Sequence, residues 1–155
     1  RALTLFLPLF SSCGQGLMIG GSYLSASPST ITYAQLSASL AVALTLGEGT
    51  SDPKLHGKSE ASLDGWVVYT TPDHVSVHDG LKVTGWTSCQ RRMIVVGTPP
   101  SGWAESALVH EFFHVFQACE STAPTDITSD ALHANWARDG LYDAIIKARA
   151  DLKGI

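Results

Sequence analysis

The segment ALVHEFFHVFQACE, residues 107–120, constrains this 155-residue chain more than any other stretch. Leu108, Phe112, Val115 and Cys119 fall on one apolar stripe of a helix, and Val109, Phe113 and Phe116 on a second. A helix apolar on two sides belongs inside a core, yet this one carries His110, Glu111 and His114. Histidines four apart lie about one turn plus 40° from each other, so both rings can reach one ion from one face. Buried without partners they would be costly, whereas a metal or carboxylates would satisfy them. Glu111 lies about 100° round from His110, beside such an ion rather than on it. A base placed there can take a proton from a water that the metal has made acidic. Two core histidines bonded to backbone or carboxylates are the alternative, and the apolar surroundings favour the metal.

The rest of the chain can house such a helix. Its length suits one domain with a real core and is too short for two comfortable ones. Hydrophobic residues make up 45% and charged residues 15%, which argues against disorder. The net charge is −4 and no basic run extends beyond Arg91-Arg92, so nucleic acid is not an expected partner.

Residues 1–13, RALTLFLPLFSSC, join one basic residue to an apolar run and end on Ser-Ser-Cys. The run is too short to span a bilayer but fits the apolar region of an export signal. Its end resembles the lipobox of bacterial lipoproteins, which implies a lipid anchor at Cys13 as the one membrane attachment. The protein is then expected to be exported, to a bacterial cell envelope or beyond. With Cys13 lipidated, Cys89 and Cys119 remain as a pair for which an oxidising compartment makes a disulfide the default. The Gly- and Ser-rich residues 14–30 read as a tether, and residues 31–155 as a single domain.

Within that domain Tyr33, Leu36, Leu40 and Leu44 mark one face of a helix, with Gly47 as its terminator. Residues 50–65 read as a loop and WVVYT, residues 66–70, as a strand. The stretch from Asp73 to Trp86 reads as a hairpin. A three-residue loop, His78-Asp79-Gly80, pairs Val77 with Leu81 and Val75 with Val83 and separates apolar from polar faces. RMIVVG, residues 92–97, is a further strand. The histidine-bearing helix is expected from about Ser101 or Gly102 to Cys119, with Pro124 barring its continuation. A C-terminal helix is expected from an N-cap at Ser129 or Asp130 to Gly154. The fold class is therefore α+β: a small sheet with a hairpin, the histidine helix and a C-terminal helix.

The His110-Glu111-Phe112-Phe113-His114 pattern resembles the HExxH signature of the zincin metallopeptidases, and residues 92–145 resemble them more loosely. The resemblance implies a zinc ion (Zn2+) held by His110 and His114, with Glu111 as general base hydrolysing a peptide or protein substrate. It also implies a strand that forms the upper rim of the cleft, for which residues 93–97 are the candidate. The metzincin extension is absent, since Gln117 and Glu120 occupy its Gly and His positions. No Glu follows Glu120 to act as a gluzincin ligand. His133, nineteen residues beyond His114 with Trp136 three places on, resembles the SprT-like arrangement and is the preferred third ligand. Asp130 and Asp126 remain alternatives. So does Cys89, because peptide deformylases combine HExxH with a cysteine from an earlier strand. A Cys89–Cys119 bridge from a strand to the end of the helix explains both sulfurs more simply. Trp136 is expected to pack on the histidine helix, and Tyr142 to pack rather than to donate to an oxyanion. His74 and His78 read as solvent-facing, and His56, in a polar loop, is given no role. A rival reading is an exported binding lipoprotein with a structural zinc or none.

Overall fold

A computed structural model describes residues 16–19, 22–26, 33–71, 75–76, 82–97, 106–119, 133, 136 and 140–151. Alternating and continuous apolar runs supply the strands: β1 (Gly16–Ile19), β2 (Ser22–Ala26), β3 (Val67–Thr71), β4 (Val75–Ser76), β5 (Lys82–Val83), β6 (Gly85–Ser88) and β7 (Met93–Gly97). The helices are α1 (Tyr33–Glu48), α2 (Ala107–Ala118) and α3 (Leu141–Asp151). Two short 3-10 turns, Pro53–Leu55 and Glu60–Leu63, carry the chain from α1 to β3. The class is α+β, as expected.

The larger sheet has the order β1-β2-β3-β7-β6. Its centre is parallel, with β2 beside β3 and β3 beside β7, while β1 and β6 run antiparallel at the two ends. The register pairs Val68 with Ile94, Ile94 with Thr87, and Val96 with Gly85. Directly paired residues share a face, so Gly85 and Thr87 look the same way as the buried Val68, Ile94 and Val96. The opposite face holds the exposed Tyr69 and the half-buried Val95 and Trp86.

Helix α2 packs against the inner face of β6 and β7 and is covered in turn by α1, α3 and the first 3-10 turn. Phe112, Phe113, Leu108, Val109, Val115 and Phe116 are all buried, so both apolar stripes are used. Leu36, Ser39, Leu40 and Ala43 form the buried face of α1. Gly47 lies inside the last turn of that helix rather than beyond it. A Cβ there would stand 3.1 Å from the carbonyl oxygen of Leu55, so the glycine serves close packing of the 3-10 turn.

Several expectations are corrected. The segment 14–30 is not simply a tether, because residues 16–19 and 22–26 pair with each other and β2 joins the sheet. Leu17-Met18-Ile19 and Tyr23-Leu24 suffice for two short strands, and the surrounding Gly and Ser residues hid them. Strand β7 cannot be the rim of a cleft, since β3 and β6 occupy both its edges, and β6 is the end strand on that side of the sheet. Helix α2 starts later than expected, at Ala107, because Ser106 is extended and its hydroxyl accepts from the Val109 N–H, an N-cap. The C-terminal helix is shorter than expected: it begins at Leu141, after Gly140 at φ +68°. His133 therefore sits in a 3-10 turn outside that helix.

Other expectations hold. Val75 pairs with Val83 and Ser76 with Lys82, the register of the three-residue loop. β3 and β7 fall where their sequences placed them, and α2 ends at Ala118. Residues 1–15, with Cys13, lie outside the described residues, as do Asp126, Asp130, His74 and His78. Among the described residues no helix is long and apolar enough to cross a membrane.

Candidate metal centre

His110 and His114 project from α2, one turn apart, and the turn before α3 brings His133 to them. Nε2 of His114 lies 3.1 Å from Nε2 of His110 and 3.1 Å from Nε2 of His133. All three residues can place a ligand atom within 4.8 Å of the others. Hydrogen bonding among them is a poor account of this geometry. A neutral imidazole nitrogen holds one proton or one lone pair, so Nε2 of His114 cannot serve both neighbours well. Its Nδ1, also buried, has no partner.

A metal fits the donor set. Tetrahedral zinc with Zn–N of 2.0–2.1 Å sets its nitrogen ligands about 3.3 Å apart, within a few tenths of an ångström of the two separations from His114. Each ring can offer a nitrogen to a shared ion, and no fourth His, Cys, Asp or Glu joins the group among the described residues. Burial, with the charges of His110 and His133 adding to it, lowers the pKa of His114 from 6.5 to about 2. The ring is therefore neutral at physiological pH, the form that ligates.

Trp136 forms the floor of the cluster. Its ring centroid lies 4.7 Å from that of His110, 5.3 Å from His114 and 4.7 Å from His133. It also meets Phe113 edge-on at 5.8 Å, so the expected packing on α2 is present. Tyr142, half-buried, packs on Trp136 at 5.5 Å and has its ring 6.2 Å from that of His133.

Glu111 turns the other way round the helix, as its offset requires, and is 4% exposed. Its Oε2 accepts a hydrogen bond of 2.6 Å from the hydroxyl of Thr87 on β6. A Cβ on Gly85 would stand 2.7 Å from the Cγ of Glu111, so the missing side chain makes the space that this carboxylate fills.

Cys89 and Cys119 form a disulfide, tying the end of β6 to the C-cap of α2. The bridge removes Cys89 as a thiolate ligand. His56 is exposed, with its Nε2 2.8 Å from the carbonyl oxygen of Thr50, and takes no part in the site.

Sequence reasoning brought together His110, His114 and His133 and missed Gly85 and Thr87. Their pairing with Glu111 depends on the register of β6 against β7, which no local signal encodes. Gln117 was more accessible, as a polar residue one turn beyond His114 on a buried helix.

No protein-family model, curated protein or solved structure matches the chain. The site therefore rests on its own geometry: three histidines close enough to hold a metal ion, on a helix that also carries the buried Glu111.

Proposed function

We propose that this protein is a zinc-dependent peptidase of zincin type, with His110, His114 and His133 as metal ligands and Glu111 as general base. The observation that supports it most is the approach of the His110, His114 and His133 side chains to one another, on a helix whose Glu111 is buried and held by Thr87. A zinc ion in such a site supplies Lewis acidity toward water and a carbonyl oxygen at neutral pH. Glu111 takes the proton from the attacking water and returns it to the leaving amine nitrogen. Thr87 holds one carboxylate oxygen and so fixes the direction from which the proton is taken. The buried ring of Trp136 packs against all three imidazoles. Strand β6, at the end of the sheet, carries Gly85 and Thr87 beside Glu111, so an extended peptide paired along it passes the carboxylate.

The disulfide fits an oxidising compartment. With the apolar run ending in Ser11-Ser12-Cys13, it supports a protein exported to the bacterial cell envelope and anchored by lipid at Cys13, or secreted.

The test is metal content together with hydrolysis of a peptide library by the native chain, Glu111→Gln and His133→Ala. One zinc per native chain is expected, retained in Glu111→Gln and weakened in His133→Ala. Cleavage is expected in the native chain alone. A native chain that binds no zinc overturns the metal centre. Zinc without cleavage overturns the peptidase and leaves a closed, structural zinc site as the reading, and cleavage that survives Glu111→Gln overturns Glu111 as the general base.

A further inference from the structure

His110 and His114 are held by the helix that carries them, but His133 belongs to a turn and must be held by something else. Its carbonyl accepts the Trp136 N–H at 3.0 Å, and the Trp136 carbonyl accepts the Leu141 N–H at 2.9 Å. The orientation of His133 thus follows that of Trp136, whose ring also lies against all three imidazoles.

What holds Trp136 is Gln117. This residue is 7% exposed, on a stretch of α2 that is otherwise apolar. A buried amide costs stability unless both of its ends are bonded, and here both are. The Trp136 indole N–H donates to Oε1 of Gln117 at 3.2 Å, and Nε2 of Gln117 donates to Oδ2 of Asp52 at 2.8 Å. Asp52 is itself fixed, because its Oδ1 caps the 3-10 turn through the Lys54 N–H at 2.9 Å. An unbroken path of hydrogen bonds runs from Asp52, 65 residues before Gln117, to the backbone of the third histidine.

We infer that Gln117 is a positioning residue for the metal. Anchored by Asp52, it fixes the Trp136 indole and thereby holds His133 against His110 and His114. The inference rests on the three histidines holding a metal and not on the reaction they serve. The physical reason is ordering. A ligand on a turn loses conformational freedom when it binds, and one already held in place loses less. Partners of this kind, outside the ligand set, change metal affinity by about 10- to 100-fold when removed.

The experiment is a double-mutant cycle on zinc affinity, measured with competing chelators of graded strength. Gln117→Leu and Asp52→Ala are each made in the native chain and in His133→Ala. In the native background each variant is expected to weaken zinc binding, by about 10- to 100-fold for Gln117→Leu and less for Asp52→Ala, with one zinc still bound. In the His133→Ala background neither is expected to matter, because the ligand they position is gone. Equal losses in both backgrounds, or no loss in the native one, overturn the inference and leave Gln117 as a core residue only. If Gln117→Leu does not fold, Asp52→Ala decides by the same comparison, since it removes the anchor from a half-exposed position. A native chain that binds no zinc overturns the metal centre itself, a result distinct from a native chain that binds zinc as tightly as its variants.

Discussion

The hydroxyl of Thr87 donates to Oε2 of Glu111 over 2.6 Å, joining the last strand of the sheet to the histidine helix inside the core. Thr87 is fully buried and Glu111 nearly so, and leaving a buried acceptor without its donor costs about 1–3 kcal/mol. Thr87→Val keeps the shape and removes the donor, so it is expected to lower unfolding stability by about that amount, read from denaturant midpoints. Thr87→Ser keeps the donor and should recover most of it. Equal losses in the two variants would show that the methyl group matters and the hydroxyl does not.

Gly85→Ala places a methyl carbon where Glu111 now sits. One of the two must move, at a cost of about 1–3 kcal/mol for overpacking in a close-packed site. Since β6 is tied by the nearby disulfide, the carboxylate is the freer partner. The expected outcome is reduced stability, together with loss of any hydrolysis that depends on Glu111. In Glu111→Ala the same Gly85→Ala substitution should cost far less, which a double-mutant cycle reads directly.

Acid should destabilise the metal-free protein through His114. Its folded pKa is lowered to about 2 by burial and by the neighbouring His110 and His133, whereas 6.5 applies to the unfolded chain. Below 6.5 the unfolded state takes a proton that the folded state refuses, so stability falls as pH falls from about 6.5 and is flat above about 7.5. Between pH 7.5 and 5.5 the loss from this group is about 1.4 kcal/mol. Chemical denaturation of the chelator-treated protein at the two pH values measures it. His114→Gln should abolish that part of the pH dependence, and an unchanged slope would contradict the assignment to His114.

Zinc should raise the unfolding temperature of the native chain and leave that of His114→Gln unchanged. A ligand at a hundred times its dissociation constant adds about 2.7 kcal/mol. Scanning calorimetry with and without zinc, reversed by chelator, gives the answer. A shift of the same size in His114→Gln would place the bound zinc elsewhere.

Reduction of the Cys89–Cys119 bridge removes a cross-link between residues 30 apart. Loop-closure entropy puts its contribution near 3.5 kcal/mol. Thermal unfolding with and without reductant should show a loss of that order. A Cys89→Ser/Cys119→Ser double variant should match the reduced protein.

Much of this protein was determined by local pattern. The two apolar stripes around His110 and His114 made α2 a buried helix, because a helical period of 3.6 puts those positions on fixed sides whatever surrounds them. The pairing of His110 with His114 and the offset of Glu111 follow from the same period. The hairpin register followed from the alternation of Val75, Val77, Leu81 and Val83, since slipping by one residue would bury the polar set. Tertiary structure alone decided the rest. That β6 and not β7 ends the sheet, that Gly85 and Thr87 meet Glu111, and that Asp52 reaches Gln117 all depend on which distant segments pair. Chain entropy opposes every one of those meetings, and only the burial of the whole core repays it. His133 stands between the two cases: its residue type and spacing made it a candidate. Its place beside His110 and His114 comes from Gly140, which ends the turn before α3, and from Trp136, which packs that turn onto the helix.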